Sequence, residues 1–235
     1  MTTLTPRCTT CRIKNLSLLR HCSNELLEEL SAKKSSHCLK KGDRLLTADE
    51  EAKSVYCIRS GVARVEIQDK DGHALILRLE SEGAILGHRA ARKKDRQSLS
   101  ISAVENMQVC RFSAEQFRSL SMKCPGLRSE IMKSLMSELN RAESLALSLA
   151  RHSVRERIAA ALLHIAAVYR YRQGGCSIQV HLDRQDMADL AGTTKEQVSA
   201  ILAELRRAGL VNFKAKYFKY FDLAGLAKMA GVTGI

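Results

Sequence analysis

From residue 37 to residue 112, apolar and polar positions alternate in short runs: 37–39, 44–47, 54–59, 62–68, 74–79, 84–86, 99–104 and 108–112. Turn signals separate them, among them Lys41-Gly42-Asp43, Ser60-Gly61 and Asp69-Lys70-Asp71-Gly72. Closely spaced short strands with Gly and Asp turns predict a small antiparallel barrel or jelly roll. A helix at 23–32 precedes it, with Ser23 as cap and Leu26, Leu27 and Leu30 on one face.

After the strands the period lengthens. Ser113 caps a helix that Cys124-Pro125-Gly126 breaks, and a helical stretch follows from about 127 to 150. Along it Ile131, Leu135, Leu139, Ala142, Ala146 and Leu149 recur at intervals of three and four, close to a heptad seam. Such a stripe either lies on its own barrel or pairs with its twin in a dimer. Ser153 opens a further helix at 154–172, with Ile158, Leu162, Ile165 and Ala166 inward, closed by Gly174-Gly175.

Residues 182–209, LDRQDMADLAGTTKEQVSAILAELRRAG, parse as two short helices and a tight turn. Asp183 caps the first, 183–190, which buries Met187, Ala188 and Leu190. Gly192 lets the chain leave that helix sharply. Thr193 or Thr194 caps the second helix, which ends near Ala208-Gly209 with Val198, Ile201, Leu202 and Leu205 inward. Thr194, Lys195, Glu196, Gln197, Ser199 and Ala200 are left at its exposed N-terminal end, the end a helix-turn-helix presents to the major groove. Residues 210–222 alternate apolar and basic around an Ala-Lys turn and predict a two-stranded wing carrying Lys214, Lys216 and Lys219.

The fold class is therefore α+β: a cysteine-containing segment (1–22), an antiparallel β-barrel or jelly-roll domain (23–126), a long helix (127–152) and a winged helix-turn-helix (153–235). Charge strengthens this picture. The net +13 divides as +8 in residues 1–152 and +5 in residues 153–235, which favours a polyanionic partner. With 4% aromatic residues and no Trp there is little surface for stacking single-stranded bases, so duplex DNA is the better polyanion. No apolar run approaches the roughly 18 residues that span a bilayer, and the N-terminus lacks a signal-peptide core, so a cytoplasmic protein with no membrane partner is expected. Its eight cysteines then read as thiols, metal ligands or redox sensors rather than disulfides. Enzyme signatures are lacking: no Gly-rich phosphate loop, no nucleophile elbow, and seven scattered histidines without ligand spacing.

This order of elements resembles the Crp/Fnr family of bacterial transcription regulators over essentially the whole chain. KSVYCIRSG at 53–61, AVENMQVCRFSAEQF at 103–117, VRERIAAALLHIA at 154–166 and the helix-turn-helix carry the likeness. The resemblance implies a homodimer joined along the long helix, binding a two-fold symmetric site in double-stranded promoter DNA, with RNA polymerase as a further partner. The family's recognition helix carries a Glu and, four residues on, an Arg; here these places hold Glu196 and Ala200. Glu196 can accept from cytosine N4, Lys195 can donate to guanine, and Ser199 can serve either base. Thr194 borders them, while Arg206, Arg207, Lys214 and Lys216 are suited to phosphates. Members that bind cyclic nucleotides hold the ribose with Gly-Glu and the phosphate with Arg-Ser; this chain has Gly87-His88 and Gln97-Ser98, with the basic run at 89–96 nearby. A neutral Gln supplies no counter-charge for a phosphate.

The cysteines resemble the oxygen-sensing branch. Cys8-Thr-Thr-Cys11 precedes the barrel where that branch carries iron–sulfur ligands, and Cys110 falls at its distant ligand. The branch's third cysteine is replaced by Ser17, and Cys22 is the nearest substitute, with Cys38 the alternative. The resemblance thus implies a cluster, [4Fe-4S], on Cys8, Cys11, Cys22 and Cys110. Cys57, Cys124 and Cys176 read as buried or incidental thiols. The alternatives are a thiol–disulfide switch, a zinc site or a small molecule in the barrel.

Overall fold

The computed structural model describes residues 7–51, 53–88, 99–171 and 177–231. Its contacts divide the chain into two units, Met1–Val65 with Glu80–Arg141, and Glu66–Leu79 with Ala142–Ile235.

The first unit opens with two 3-10 turns, Lys14–Leu16 and Leu18–His21, where the sequence carries little periodic signal. Ser17 joins them: its hydroxyl accepts from the Leu19 N–H and donates to the Lys14 carbonyl. Helix α1 (Asn24–Lys33) starts at Ser23, whose hydroxyl accepts from the Leu26 N–H. All eight strands predicted from the alternation are present: β1 (Ser35–Leu39), β2 (Arg44–Leu46), β3 (Ser54–Ser60), β4 (Ala63–Gln68), β5 (Ala74–Glu80), β6 (Ile85–Leu86), β7 (Ser100–Ala103) and β8 (Met107–Ser113). They form two four-stranded sheets, ordered β1-β8-β3-β6 and β2-β7-β4-β5. The hairpin from Glu66 to Leu79 groups by contacts with the second unit, a division that the sequence boundaries do not contain.

Ser113 and Gln116 form a reciprocal capping box that starts α2 (Ala114–Lys123). The long helix α3 runs Pro125–Arg151, two residues earlier than the periodicity suggests, because proline is tolerated in the first turn, where its missing N–H has no partner to lose. Leu27, Val55, Phe112, Phe117 and Leu127, each at most 1% exposed, fill the core against α1 and α2. Burying each such side chain contributes about 1.5–3 kcal/mol.

The second unit holds the rest of α3, then α4 (Val154–Val168), β9 (Ile178–Gln179), α5 (Arg184–Ala191), α6 (Lys195–Arg207), β10 (Val211–Lys214), β11 (Tyr217–Tyr220) and α7 (Leu223–Met229). Helix α4 stops at Val168, short of the expected Arg172; Arg170 takes a positive φ of 54°, and the Tyr171 N–H returns to the Ala166 carbonyl. Capping boxes at Ser153–Glu156 and Asp183–Asp186 start α4 and α5, and Thr194 caps α6. Strand β9 adds to the wing in the order β10-β11-β9, and α7 docks on α4 through buried Leu226 and Ala227. No described helix is long and apolar enough to cross a membrane.

Candidate thiol centre and nucleic-acid interface

Four thiols face one small cavity in the first unit: Cys8, Cys11, Cys57 and Cys110. Cys8 and Cys11 stand on a turn closed by the Cys11 N–H to the Cys8 carbonyl at 3.4 Å. The Cys8 N–H is held by Ser31 Oγ of α1 at 2.7 Å. Cys57 on β3 and Cys110 on β8 are directly opposed in the antiparallel ladder, so their side chains leave the same face of the sheet. Lys34 and Arg59 also line the cavity, and Lys34 Nζ lies 3.2 Å from Cys8 Sγ.

Burial pushes the Cys57 thiol up, and the neighbouring thiols of Cys110, Cys11 and Cys8 push it further. Burial raises Cys110 too, against the pull of Lys34 and the Ser36 hydroxyl. A bound cation would draw the protons off both.

Two cysteine assignments look different in three dimensions. Ser17, in the place of the family's third cysteine, lines the cavity but is 1% exposed and occupied in capping. Cys22 is buried but absent from the cavity wall. Its pKa is pushed up to about 12 by burial first and by a hydrogen bond with Cys124 second. Cys124 Sγ in turn donates to the His21 carbonyl at 3.3 Å and accepts from the Leu127 N–H at 3.4 Å, which caps the start of α3. Cys38 is exposed on β1 and outside the cavity wall. Cys57, read from sequence as a buried or incidental thiol, is buried and is also a wall residue; its register opposite Cys110 is what the sequence alone does not display.

In the second unit, α5 and α6 form the expected helix pair. Val198, Leu202 and Leu205 are buried and Ile201 is half-buried. Thr194, Lys195, Glu196, Gln197, Ser199 and Ala200 are all exposed at the N-terminal end of α6. The Glu196 carboxyl is held below its usual range by backbone N–H at the helix start and by the Thr194 hydroxyl, so it stays an acceptor. Ser199 Oγ donates to the Lys195 carbonyl at 2.8 Å, leaving its lone pairs for an incoming donor. Lys214 and Lys216 flank the wing turn, where Ala215 adopts a φ of 52°. Arg206 and Arg184 both lie over one ring, Phe213, at 5.3 and 4.9 Å from its centroid. Arg207 is exposed, its Nε 3.4 Å from the Ala203 carbonyl. The Phe213 platform and Arg184 were not singled out from sequence; an aromatic in a basic hairpin is the signal that points to them.

Along α3 the apolar stripe splits. Ile131 and Leu135 are half-buried, and Ile131 packs against the core of the first unit. Leu139, Ala142, Ala146 and Leu149 are exposed, and so are Met132, Met136 and Leu147, which the heptad reading omits. Leu149 lies against the turn at Gly192. Near β6, His88 is buried and its Nε2 faces Glu138 Oε1 of α3 at 3.3 Å, while Nδ1 meets the Ile85 carbonyl at 3.1 Å. His88 is thus turned into the protein. Gln97, Ser98 and the basic run at 89–96 lie outside the described residues.

Two family models match this chain: a cyclic nucleotide-binding domain over residues 37–124 and a Crp-like helix-turn-helix domain over residues 156–229. The fumarate and nitrate reduction regulatory protein of Vibrio cholerae is 28% identical over 232 residues, covering 96% of this chain and 91% of its own. The protein of that name from Escherichia coli K12 is 28% identical over 233 residues, with the same two shares. Among solved structures, FixK2 from Bradyrhizobium japonicum has a TM-score of 0.75 at 22% identity, covering 86% of this chain and 99% of its own. At that identity the likeness speaks for the fold alone.

Proposed function

The chain belongs to the Crp/Fnr family of DNA-binding transcription regulators, which act as dimers on promoter DNA and are not enzymes, and from that premise we propose that its sensor is a thiol-held iron–sulfur cluster responsive to oxygen or nitric oxide. The observation that carries this reading is the convergence of Cys8, Cys11 and Cys110, at the family's ligand places, on one buried cavity with a cationic wall. Similarity to proteins named for fumarate and nitrate reduction points the same way. The donor set fits: thiolates are the ligands such clusters use, and Lys34 and Arg59 offset the negative charge that several thiolates bring. A bound cluster would supply iron that dioxygen or nitric oxide attacks, changing the charge and grip of the cysteine turn.

Zinc is held by the same donors in a tetrahedral site, but it would leave the protein colourless, so the visible spectrum and the iron and sulfide counts separate the two. A thiol–disulfide switch at Cys22 and Cys124 is disfavoured because a thiol raised to about 12 is a poor nucleophile.

The chain's own residues transmit the change. Arg20 Nη2 binds Glu130 Oε2 of α3 at 2.8 Å, and Cys124 ties the His21 carbonyl to the first turn of α3. A shift of the cysteine turn therefore acts on the start of the helix whose exposed face, around Met136 and Leu139, pairs two protomers. Dimer geometry sets the spacing of the two recognition helices. Glu196, Lys195 and Ser199 read bases, with Thr194 beside them; Arg206, Arg207, Lys214 and Lys216 hold phosphates, and the DNA-bound dimer engages RNA polymerase.

Anaerobically purified protein tests the sensor. The expected result is about four irons and four sulfides per chain with a visible absorption band, and a promoter affinity that changes about 5- to 150-fold on exposure to air or nitric oxide. Colourless, iron-free and sulfide-free protein would sink the reading.

A further inference from the structure

Resting on that reading, we propose that the fourth ligand of the cluster is Cys57, a strand residue, in place of the cysteine the family carries where this chain has Ser17. The cavity names its own donors: Cys8, Cys11, Cys57 and Cys110 face it, and Cys22 and Cys38 do not. Cys57 is 3% exposed and stands directly opposite Cys110, so two ligands come from one rigid ladder and two from one turn.

Ser17 explains why a substitute is needed and why position 57 can provide it. Its hydroxyl is committed to Lys14 and Leu19, and its place lies in the same wall that Cys57 enters from the sheet. A sulfur removed from the segment at 17 is thus restored from the opposite side of the cavity. Cys22 has a different duty, since its thiol is engaged with Cys124 at the foot of α3.

The cavity holds about 20 Å³, the room of a single water. Seating a four-iron cluster would therefore require the cavity to widen, with two of its ligands on paired strands and two on one turn.

The test is anaerobic reconstitution of full-length protein with ferrous iron and sulfide, read by metal and sulfide counts and the visible spectrum. Cys57→Ala is expected to drop from about four irons per chain to fewer than about two, whereas Cys22→Ala keeps the full complement. Because Cys57 is buried, thermal unfolding of the iron-free variant checks its fold, and Ser17→Cys added to Cys57→Ala is expected to restore iron. A full complement in Cys57→Ala, or loss in Cys22→Ala alone, overturns the assignment while leaving the cluster reading intact. Iron-free wild-type protein overturns both.

Discussion

Gly192→Ala tests how the helix-turn-helix is held. Gly192 ends α5 in the left-handed region, at φ 59° and ψ 49°, and its N–H returns to the Ala188 carbonyl. An alanine there costs about 1–2 kcal/mol of backbone strain. Its Cβ would also collide with Leu149 Cδ2. Leu149 is 37% exposed, so its side chain gives way, at about 0.5–1.5 kcal/mol for a displaced rotamer. Together these terms give about 1.5–3.5 kcal/mol. Since 1 kcal/mol moves the midpoint of a domain of about 100 residues by roughly 4–8 °C, the thermal transition should fall by on the order of 10 °C. The carbonyls of Ala191 and Gly192 also accept from the Arg157 guanidinium at 2.9 and 3.0 Å, so a displaced turn disturbs the link to α4 as well. Calorimetry of the full chain measures the shift. Gly192→Asn, which tolerates the left-handed region but keeps a Cβ, separates strain from collision, and Leu149→Ala in the Gly192→Ala background relieves the collision alone. A loss below about 0.5 kcal/mol for Gly192→Ala would refute the close-approach account.

Three further outcomes are expected. Glu196→Ala should lose about 1–3 kcal/mol of discrimination at one base pair while retaining salt-dependent binding, whereas Lys214→Ala should weaken binding to all sequences and lower the salt slope by about 1; competition gel shifts at several salt concentrations distinguish them. Leu139→Glu, at a position 50% exposed in the single chain, should leave monomer stability within about 0.5 kcal/mol and raise the dimer dissociation constant in sedimentation; an unchanged constant would remove Leu139 from the interface. Cys22 has a folded pKa of about 12 against an ordinary 9.0, so its contribution is fully present below pH 9 and declines as pH rises from 9 towards 12. Wild-type protein in the iron-free state should therefore lose stability across that window more steeply than Cys22→Ala, and parallel pH curves would contradict the burial.

The two-sheet domain was legible because its strands alternate and its turns are marked by Gly and Asp. The helix pair of the second unit was legible because Asp183, Gly192 and Thr194 punctuate it, and each performs the expected capping role. Strand β9 and helix α7 were not: β9 has two residues, and α7 is short and draws its stability from docking on α4. The cysteine set shows the limit most clearly. Sequence spacing measures separation along the chain, and by that measure Cys22 is the neighbour of Cys11. Cavity membership depends on the pairing register of β3 with β8, which brings Cys57 across from Cys110 over a separation no local pattern records. The heptad stripe of α3 was blurred for a related reason, since one edge of it serves the first unit's own core through Ile131.

These two displacements bear on each other. On the proposed assignment of Cys57, and not Cys22, as the fourth ligand, the centre and the foot of α3 are separate sites. With Cys22 joined to Cys124 and Arg20 to Glu130, the 3-10 turns from Lys14 to His21 lie between the cysteine turn and α3 as a separate lever. The lever is weakly held at its outer end, because water screens the partly exposed Arg20–Glu130 pair. Its inner end is the buried Cys22–Cys124 contact, which a shift of the segment must break or carry along. The exposed ion pair is the weaker of the two links, so the buried thiols at the foot of α3 should carry the larger share of the signal to the dimer helix, with the Arg20–Glu130 pair adding to it.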